Sequence, residues 1–450
     1  MDWLSQEEGV KMKLLRESNK KLPWISGKRY KMSFYNTSDK NDKFTAIYNS
    51  ASGAVVVIET SILEKAMFSE NVTKELVENG ILVPSETNEF QEYFSKLRFS
   101  QKEKPNFFTI IPTTGCNAHC FYCYEEEYCK QTIDPFTHKK IVDYLAAKIS
   151  DLDEFVLDWY GGEPLLCVQE IDHIIQDLLS NTDMEVKKWK SSITTNATLF
   201  TPELVKHAVT YWHLDSAHIT IDGIEEDHNT RKNVKLHGES AFAKTVNAIH
   251  NLLDEGVYVN LRIHLDNNNK ESFPLIMQSL NDFFHYERFH LFPTFLFPPE
   301  SKMPETYITD AQKEHLFYNV FKEVLNSSYS LTLSEAFPLP KLQNCFATKC
   351  NTIVIAPDSS LHSCVQEFSG CGNDKKFEDY SAYCKKCKNC KFFPICLGGC
   401  IHNRSLTETV RTPCVRNRFV VRPLLKILLE ENYEKINLEA NILLETPKNE

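Results

Sequence analysis

The chemistry available to this 450-residue chain is concentrated in its cysteines. Fifteen are present and none precedes Cys116; five lie from Cys116 to Cys167 and ten from Cys345 to Cys414. Buried apolar thiols scatter through a sequence, whereas clustered thiols in a chain without a secretory signal point to metal or redox chemistry. The first cluster reads Thr-Thr-Gly-Cys116-Asn-Ala-His-Cys120-Phe-Tyr-Cys123, a C-x3-C-x2-C spacing. Three thiolates leave a tetrahedral zinc site one ligand short, which His119 could supply. They suit a 4Fe–4S cluster in which one iron lacks a protein ligand. An iron left open in this way is a chemical handle, like the open position of a catalytic metal.

The second region runs Cys345-x4-Cys350-x13-Cys364, then Cys387-x2-Cys390-x5-Cys396-x3-Cys400, and finally Cys414. Eight cysteines is the number two fully ligated 4Fe–4S clusters need, although C-x2-C pairs also suit tetrahedral zinc. Cys129, Cys167, Cys371 and Cys384 are left over and read as inert thiols. Other candidate groups follow apolar runs. In Gly161-Gly162-Glu163-Pro164 two glycines permit close backbone approach to a ligand, and the acid can accept from an ammonium. Thr194-Thr195-Asn196 and Thr220-Ile-Asp222-Gly223 end two further runs, with His228, Arg231 and Arg262 beyond them. A strand arginine such as Arg262 is as often half of a structural ion pair.

These groups need elements to position them. Apolar runs at Phe108–Thr113, Phe155–Tyr160, Ser192–Thr195, Ala217–Ile221, Val257–Leu265 and Phe289–Phe295 alternate with amphipathic segments at Pro135–Ile149, Val168–Leu179, Pro202–Val209, Ala241–Leu253 and Glu271–Phe284. The alternation predicts six parallel strands built from βα units, an incomplete barrel with its functional groups at the strands' C-terminal ends. Ahead of it, strands over Tyr30–Tyr35, Phe44–Tyr48 and Ala54–Glu59 and helices over Ser61–Phe68 and Val72–Asn79 predict a small winged-helix-like module. The expected organisation is an N-terminal segment (1–27), that module (28–104), the barrel (105–300) and a bridging segment with a helix over Thr309–Asn326 (301–343). A cysteine-rich region of little periodicity (344–415) and a C-terminal segment (416–450), with a helix over Pro423–Leu444, complete it. Fifty Lys and Arg against 61 Asp and Glu give a formal charge of −11, which argues against nucleic acid as a partner. No apolar run is long enough to span a membrane, and the charged start MDWLSQEEGVKMKLLRE lacks a signal-peptide core, so no membrane partner and a cytoplasmic location are expected.

The C-x3-C-x2-C loop after the first strand, with Tyr122 before its last cysteine, resembles the radical S-adenosylmethionine (SAM) superfamily. The resemblance implies a partial (β/α)6 TIM-like barrel and a 4Fe–4S cluster on Cys116, Cys120 and Cys123 whose open iron chelates SAM. It further implies cleavage of SAM to a 5′-deoxyadenosyl radical that abstracts a substrate hydrogen. Gly161, Gly162 and Glu163 match the superfamily's GGE motif and inherit contact with the methionyl amino group. Tyr122, Thr195, Asn196 and Asp222 are assigned by the same resemblance to the SAM site, and Arg262 to the SAM carboxylate.

The second cysteine region resembles the SPASM domain of peptide- and protein-modifying radical SAM enzymes. That resemblance implies one auxiliary cluster on Cys345, Cys350, Cys364 and Cys400 and another on Cys387, Cys390, Cys396 and Cys414, three 4Fe–4S clusters in all. Two departures stand out. Relatives carry Asp-Gly in the turn before the third cysteine, where this chain has Pro357-Asp358-Ser359-Ser360, which bears on Cys350 as a ligand against an open iron. Sulfatase-maturating relatives carry a basic Asp after the equivalent of Cys364; Val365 stands here, leaving Glu367 as the candidate base. Residues 28–104 resemble the precursor-recognition element of maturases of ribosomally made peptides (RiPPs), which binds a leader peptide along a sheet edge. Together these imply a RiPP maturase that installs a thioether or, second, a carbon–carbon crosslink, served by a low-potential donor such as flavodoxin or ferredoxin. The alternatives are a peptide epimerase using a free cysteine as hydrogen donor, a formylglycine-forming enzyme, and a non-catalytic Fe–S or zinc protein.

Overall fold

The computed structural model describes residues 12–65, 69–97, 105–126, 128–236, 238–296, 308–331, 336–342, 345, 352–368, 385–400 and 414–430. The chain forms two compact units, one of residues 1–101, 309–344 and 381–450 and one of 102–308 and 345–380.

In the first unit, β1 (Met12–Arg16), β3 (Asn36–Lys40), β4 (Phe44–Asn49) and β5 (Val55–Glu59) form an antiparallel sheet in the order β1-β5-β4-β3; β2 (Tyr30–Met32) pairs with β6 (Leu82–Pro84). Helices α1 (Thr60–Lys65) and α2 (Glu70–Glu78) follow β5, and α3 (Glu89–Leu97) follows β6. Ser69 caps α2 by accepting from Val72 N, and the helix buries Val72, Leu76 and Val77 against Met12, Ile47, Val56 and Ile58. Strand β1 lies in the segment expected to precede the module, and β3 was not anticipated. Its sequence, Asn-Thr-Ser-Asp-Lys, has no apolar alternation, so only its pairing with β4 makes it a strand. A second cluster joins Tyr35 and Tyr93 to Phe393 and Leu397, with Cys387 and Cys390 packed against it. The C-terminal helix runs over Arg416–Glu430 rather than starting at Pro423, because its buried face already begins at Phe419, Val420 and Val421; residues 431–444 of the expected helix lie outside the described ones.

The second unit carries β7 (Phe107–Ile110), β8 (Glu154–Trp159), β9 (Lys188–Thr195), β10 (Leu214–Ile221), β11 (Tyr258–Leu265) and β12 (Phe289–Phe295), all parallel and neighbouring in chain order. Between them run α4 (Pro135–Ile149), α5 (Val168–Asn181), α6 (Pro202–Tyr211), α7 (Glu225–Lys232), α8 (Ala241–Asp254) and α9 (Phe273–Ser279). The fold is the expected α/β partial barrel. Alternation on β11 buries Val259, Leu261, Ile263 and Leu265 on one face and leaves Asn260, Arg262 and His264 on the other. Register carries that polar face across the sheet through Thr220 opposite Arg262, Thr194 and Asn260 flanking His218, and Thr109 opposite Asp158. One addition was not anticipated: β13 (Thr352–Ile355) pairs in parallel with β7, and β14 (Leu361–His362) pairs back on β13. The β-branched run Thr-Ile-Val-Ile was the available signal. The turn between them places Ser359 at φ +67°, a left-handed position usually given to glycine, and Asp358 Oδ1 holds it by accepting from Ser360 N at 2.9 Å. No helix among the described residues is long and apolar enough to cross a membrane.

Candidate functional site

The loop bearing Cys116, Cys120 and Cys123 leaves the C-terminal end of β7 and is held there by backbone contacts. Gly162 N donates to Thr113 O at 3.1 Å and Glu163 N to Gly115 O at 2.8 Å. A Cβ on Gly162 would lie 2.1 Å from Gly115 O, and one on Gly161, whose φ is +126°, would lie 2.4 Å from Thr113 O. The paired glycines thus admit the cysteine loop's own backbone, a close approach that the sequence reading assigns only to a ligand.

Glu163 is fully buried, and burial pushes its carboxyl up. Its oxygens accept from Thr195 Oγ1 at 2.7 Å, Asn196 N at 2.8 Å and Leu165 N at 3.1 Å. Asn196 Nδ2 in turn donates to Asn117 Oδ1 at 2.7 Å, and Asn117 Nδ2 to Thr198 Oγ1 at 3.1 Å. The side chains of Thr195 and Asn196 therefore tie the end of β9 to Glu163 and to the cysteine loop. Thr194, one residue earlier, occupies the polar face in register with His218, as the period of two requires.

A strap on the other side of the loop was missed from sequence. α7 ends at Asn233, whose left-handed backbone turns the chain back. His119 N then donates to Lys232 O at 3.0 Å, Ala118 bridges to Val234, and Lys235 N donates to Asn117 O at 3.0 Å. Arg231 pairs with the buried Asp266 at 2.7 Å and lies 4.8 Å from the Phe121 ring centroid.

Beneath the loop, Tyr122 donates to Asp222 Oδ2 at 2.7 Å and accepts from Lys232 Nζ at 2.9 Å. Lys232 Nζ is itself 3.3 Å from Asp222 Oδ2, and His264 Nδ1 is 3.3 Å from Asp222 Oδ1 without hydrogen-bond alignment. Burial alone would raise the Asp222 carboxyl, but Lys232 and His264 outweigh it and hold it well below the usual carboxylate range. Burial pulls Lys232 down, and Asp222 more than restores it. Burial pushes His228 down to about 4, keeping it neutral. The structure thus brings Tyr122 and Asp222 together and adds Lys232 and His264, which sequence reading did not select. Arg262 is exposed on the polar face and forms no ion pair among the described residues, so it is free to meet an anion.

The three thiols are half-buried. Burial pushes Cys116 up to about 12 and Cys123 to about 11, so a cation must displace the protons for them to act as thiolates. Among the described residues no three His, Cys, Asp or Glu groups close on a point that would hold a single ion. Asp222 Oδ1, His228 Nε2, Arg231 Nε and His264 Nδ1 are buried there without hydrogen-bond partners. Three soft ligands on a clamped loop, beside unpaired polar atoms and a free guanidinium, fit a three-cysteine cluster with a zwitterionic cosubstrate.

Glu367, expected to stand in as a base, is 3% exposed and closes the turn around Cys364. Its Oε2 accepts from Ser363 N at 2.6 Å, Ser363 Oγ at 2.7 Å and Cys364 N at 3.1 Å. That geometry ties Glu367 to the turn that positions Cys364. In the other unit, the buried Cys396 senses both Cys390 and Cys414, and Arg418 Nη1 donates to Cys414 Sγ at 2.8 Å. Cys345 and Cys364 belong to the barrel unit and Cys400 to the other; Cys350, Cys371 and Cys384 lie outside the described residues. Of the thiols left over, Cys167 is free and Cys129 is disulfide-bonded.

Residues 110–280 match the sequence model of the radical SAM superfamily. Over 189 residues the chain is 27% identical to Fe-coproporphyrin III synthase of Methanosarcina barkeri, a match covering 41% of this chain and 43% of that protein. The chain spans less than half the length of the curated relatives it matches. In fold it is similar to native anSMEcpe with bound AdoMet and Cp18Cys peptide, at a TM-score of 0.53 and 18% identity, covering 75% of this chain and 100% of that one. It is also similar to Streptococcus suis SuiB bound to precursor peptide SuiA, at a TM-score of 0.49 and 15% identity, covering 87% and 100%. Over residues 110–280, which carry the three-cysteine loop and the paired glycines, the chain is thus similar to the radical SAM superfamily.

Proposed function

We propose that this chain is a radical SAM maturase that crosslinks a ribosomally synthesised precursor peptide, by a thioether first and a carbon–carbon bond second. One observation carries the reading. The stretch of the second cysteine region around Cys364 is built onto the barrel's own sheet: β13 extends β7, the strand that leads into Cys116, and Tyr128 packs edge-on against Phe368, four residues past Cys364. A redox centre held by Cys364 would then share a rigid body with the radical-generating loop. The fold likeness to a peptide-bound neighbour over 75% of the chain supports a peptide substrate.

In this reading Cys116, Cys120 and Cys123 hold the SAM-binding cluster. Cys387, Cys390, Cys396 and Cys414 hold one auxiliary cluster, and Cys345, Cys350, Cys364 and Cys400 the other. SAM on the reduced first cluster supplies a 5′-deoxyadenosyl radical that takes a hydrogen atom from an unactivated carbon. Arg262 orients the SAM carboxylate, and Gly161, Gly162 and Glu163 frame the methionyl end, with Glu163 acting mainly by anchoring β9. Asp222 and Tyr122 fix the loop from below, while Thr195 and Asn196 hold its flank through Glu163 and Asn117. Residues 28–104 bind the leader peptide, and flavodoxin or ferredoxin in the cytoplasm supplies electrons.

Formylglycine formation is disfavoured, because it needs a positioned base. Val365 cannot be one, and the Glu367 oxygen is committed to Ser363 and Cys364. Epimerisation keeps one specific support, the free Cys167 thiol as hydrogen donor.

Anaerobic co-expression with the short open reading frame beside the gene, in H2O and in D2O, separates these readings by mass. Loss of two hydrogens per site with new fragmentation gaps supports a crosslink. Unchanged mass in H2O with one deuterium gained per site in D2O means an epimerase and overturns the crosslink.

A further inference from the structure

Lys232 meets the cysteine loop twice: its backbone carbonyl forms the strap, and its side chain makes a separate bond to Tyr122. Its ammonium is buried, 5% exposed, at the C-terminal end of α7. Nζ donates to Tyr122 Oη at 2.9 Å, and Tyr122 is the residue before Cys123. Asp222 neutralises part of the charge from 3.3 Å. The Lys232 carbonyl accepts from His119 N at 3.0 Å, next to Cys120, so the ammonium is carried on the residue that clamps the cysteine loop. A buried cation costs several kcal/mol of desolvation unless something repays it, and a simple clasp could be apolar.

We propose that Lys232 is a tuning residue for the iron–sulfur cluster of the cysteine loop: its ammonium, oriented by Tyr122 and Asp222, raises the cluster's reduction potential. The proposal rests on the assignment of Cys116, Cys120 and Cys123 as cluster ligands. A reduced cluster carries one more negative charge than the oxidised form, so a nearby cation in a low-dielectric setting favours uptake of the electron. Asp222 has the opposite sign and opposes it from the same hydrogen-bonded triangle with the Tyr122 hydroxyl. The pair thus sets how strong a donor must be to load the electron that cleaves SAM.

The test is an EPR-monitored redox titration of the reconstituted full chain without SAM, with iron and sulfide content measured in parallel. The signal that disappears in the Cys116→Ala/Cys120→Ala/Cys123→Ala variant belongs to the loop; if none disappears, the ligand assignment itself fails. For that signal, Lys232→Met should titrate at a lower midpoint than wild type, Lys232→Arg close to wild type, and Asp222→Asn at a higher one. Equal midpoints at equal cluster content overturn the tuning role while leaving the ligand assignment intact. Shifts of Lys232→Met and Asp222→Asn in the same direction also overturn it, since a packing defect has no sign. Should Lys232→Met not retain its iron, Lys232→Gln takes its place: a downward shift supports the role, and no shift or an upward one ends it.

Discussion

The two cysteine-bearing regions are built on opposite principles. The first loop is fixed by contacts that involve no thiol: Glu163 N to Gly115 O, His119 N to Lys232 O and Lys235 N to Asn117 O, with Asn117 clasped between Asn196 and Thr198. It sits at the end of a six-stranded parallel array whose core is already complete. In the second region the described regular elements are short, four residues in β13, two in β14 and four in the helix Phe393–Cys396. Its cysteines are shared between the two compact units. A small cysteine-rich region with short elements can draw folding energy from bound metal. The first loop is therefore ordered by protein contacts, and the contrast predicts that the second region draws more of its order from whatever its cysteines hold.

The sharpest way to break that contrast is to remove ligands from each region in turn. Replacing Cys116, Cys120 and Cys123 together with Ala should abolish 5′-deoxyadenosine release, read by chromatography and mass, while the fold loses about 1 kcal/mol or less per thiol. Cys396→Ala should instead destabilise the chain, with the first unit becoming protease-sensitive, because Cys396 is buried beside Cys390 and Cys414. Equal loss of stability in the two variants would mean that the first loop also depends on its metal.

A smaller effect is expected from the wall against which the first loop packs. Gly162→Ala puts a methyl 2.1 Å from a backbone oxygen that cannot rotate away, so loop and β8 must part. The expected cost is about 3 kcal/mol, at the upper end for overpacking, with loss of cluster loading measured as iron content. Normal loading and a wild-type melting temperature would show that the loop tolerates displacement and is less preformed than its contacts indicate.

What was legible in the sequence follows the same division. The six barrel strands are visible because each is an apolar run whose burial is set by its own residues, and α4 is found at its expected ends because Asp134 and Pro135 mark its start chemically. The C-x3-C-x2-C loop is legible because ligand spacing is local. What was missed is non-local. Lys232 and His264 reach Asp222 across different strands and helices, and nothing in their neighbouring residues announces it. Glu163 carries a recognisable motif, yet its three acceptor contacts come from Thr195, Asn196 and Leu165, and only the fold reveals that the motif's acid is also an anchor. β13 was overlooked because a four-residue β-branched run is too short a signal by itself, and its place is set by pairing with β7.

If the barrel stands on protein contacts rather than metal, its outer clamps should titrate as ordinary side chains do, and this is the smallest effect of the three. His138 bridges α4 and α5, with Nδ1 2.6 Å from Glu170 Oε1 and Nε2 2.9 Å from Asp177 Oδ2. Burial pulls the imidazole down, but its bonds to the two carboxylates outweigh burial and leave it raised. A histidine raised on folding binds its proton more tightly in the native state, so its contribution is fully present below about pH 6.5 and disappears as pH climbs through the raised value. Asp177 is half-exposed, which limits the clamp to under about 1 kcal/mol. His138→Gln should therefore lower the apparent Tm at pH 5.5 and leave it nearly unchanged at pH 9. Comparing variant with wild type at each pH cancels the titration of every other group. An equal deficit at both values would assign His138 a packing role and remove proton-linked clamping from the barrel's stability.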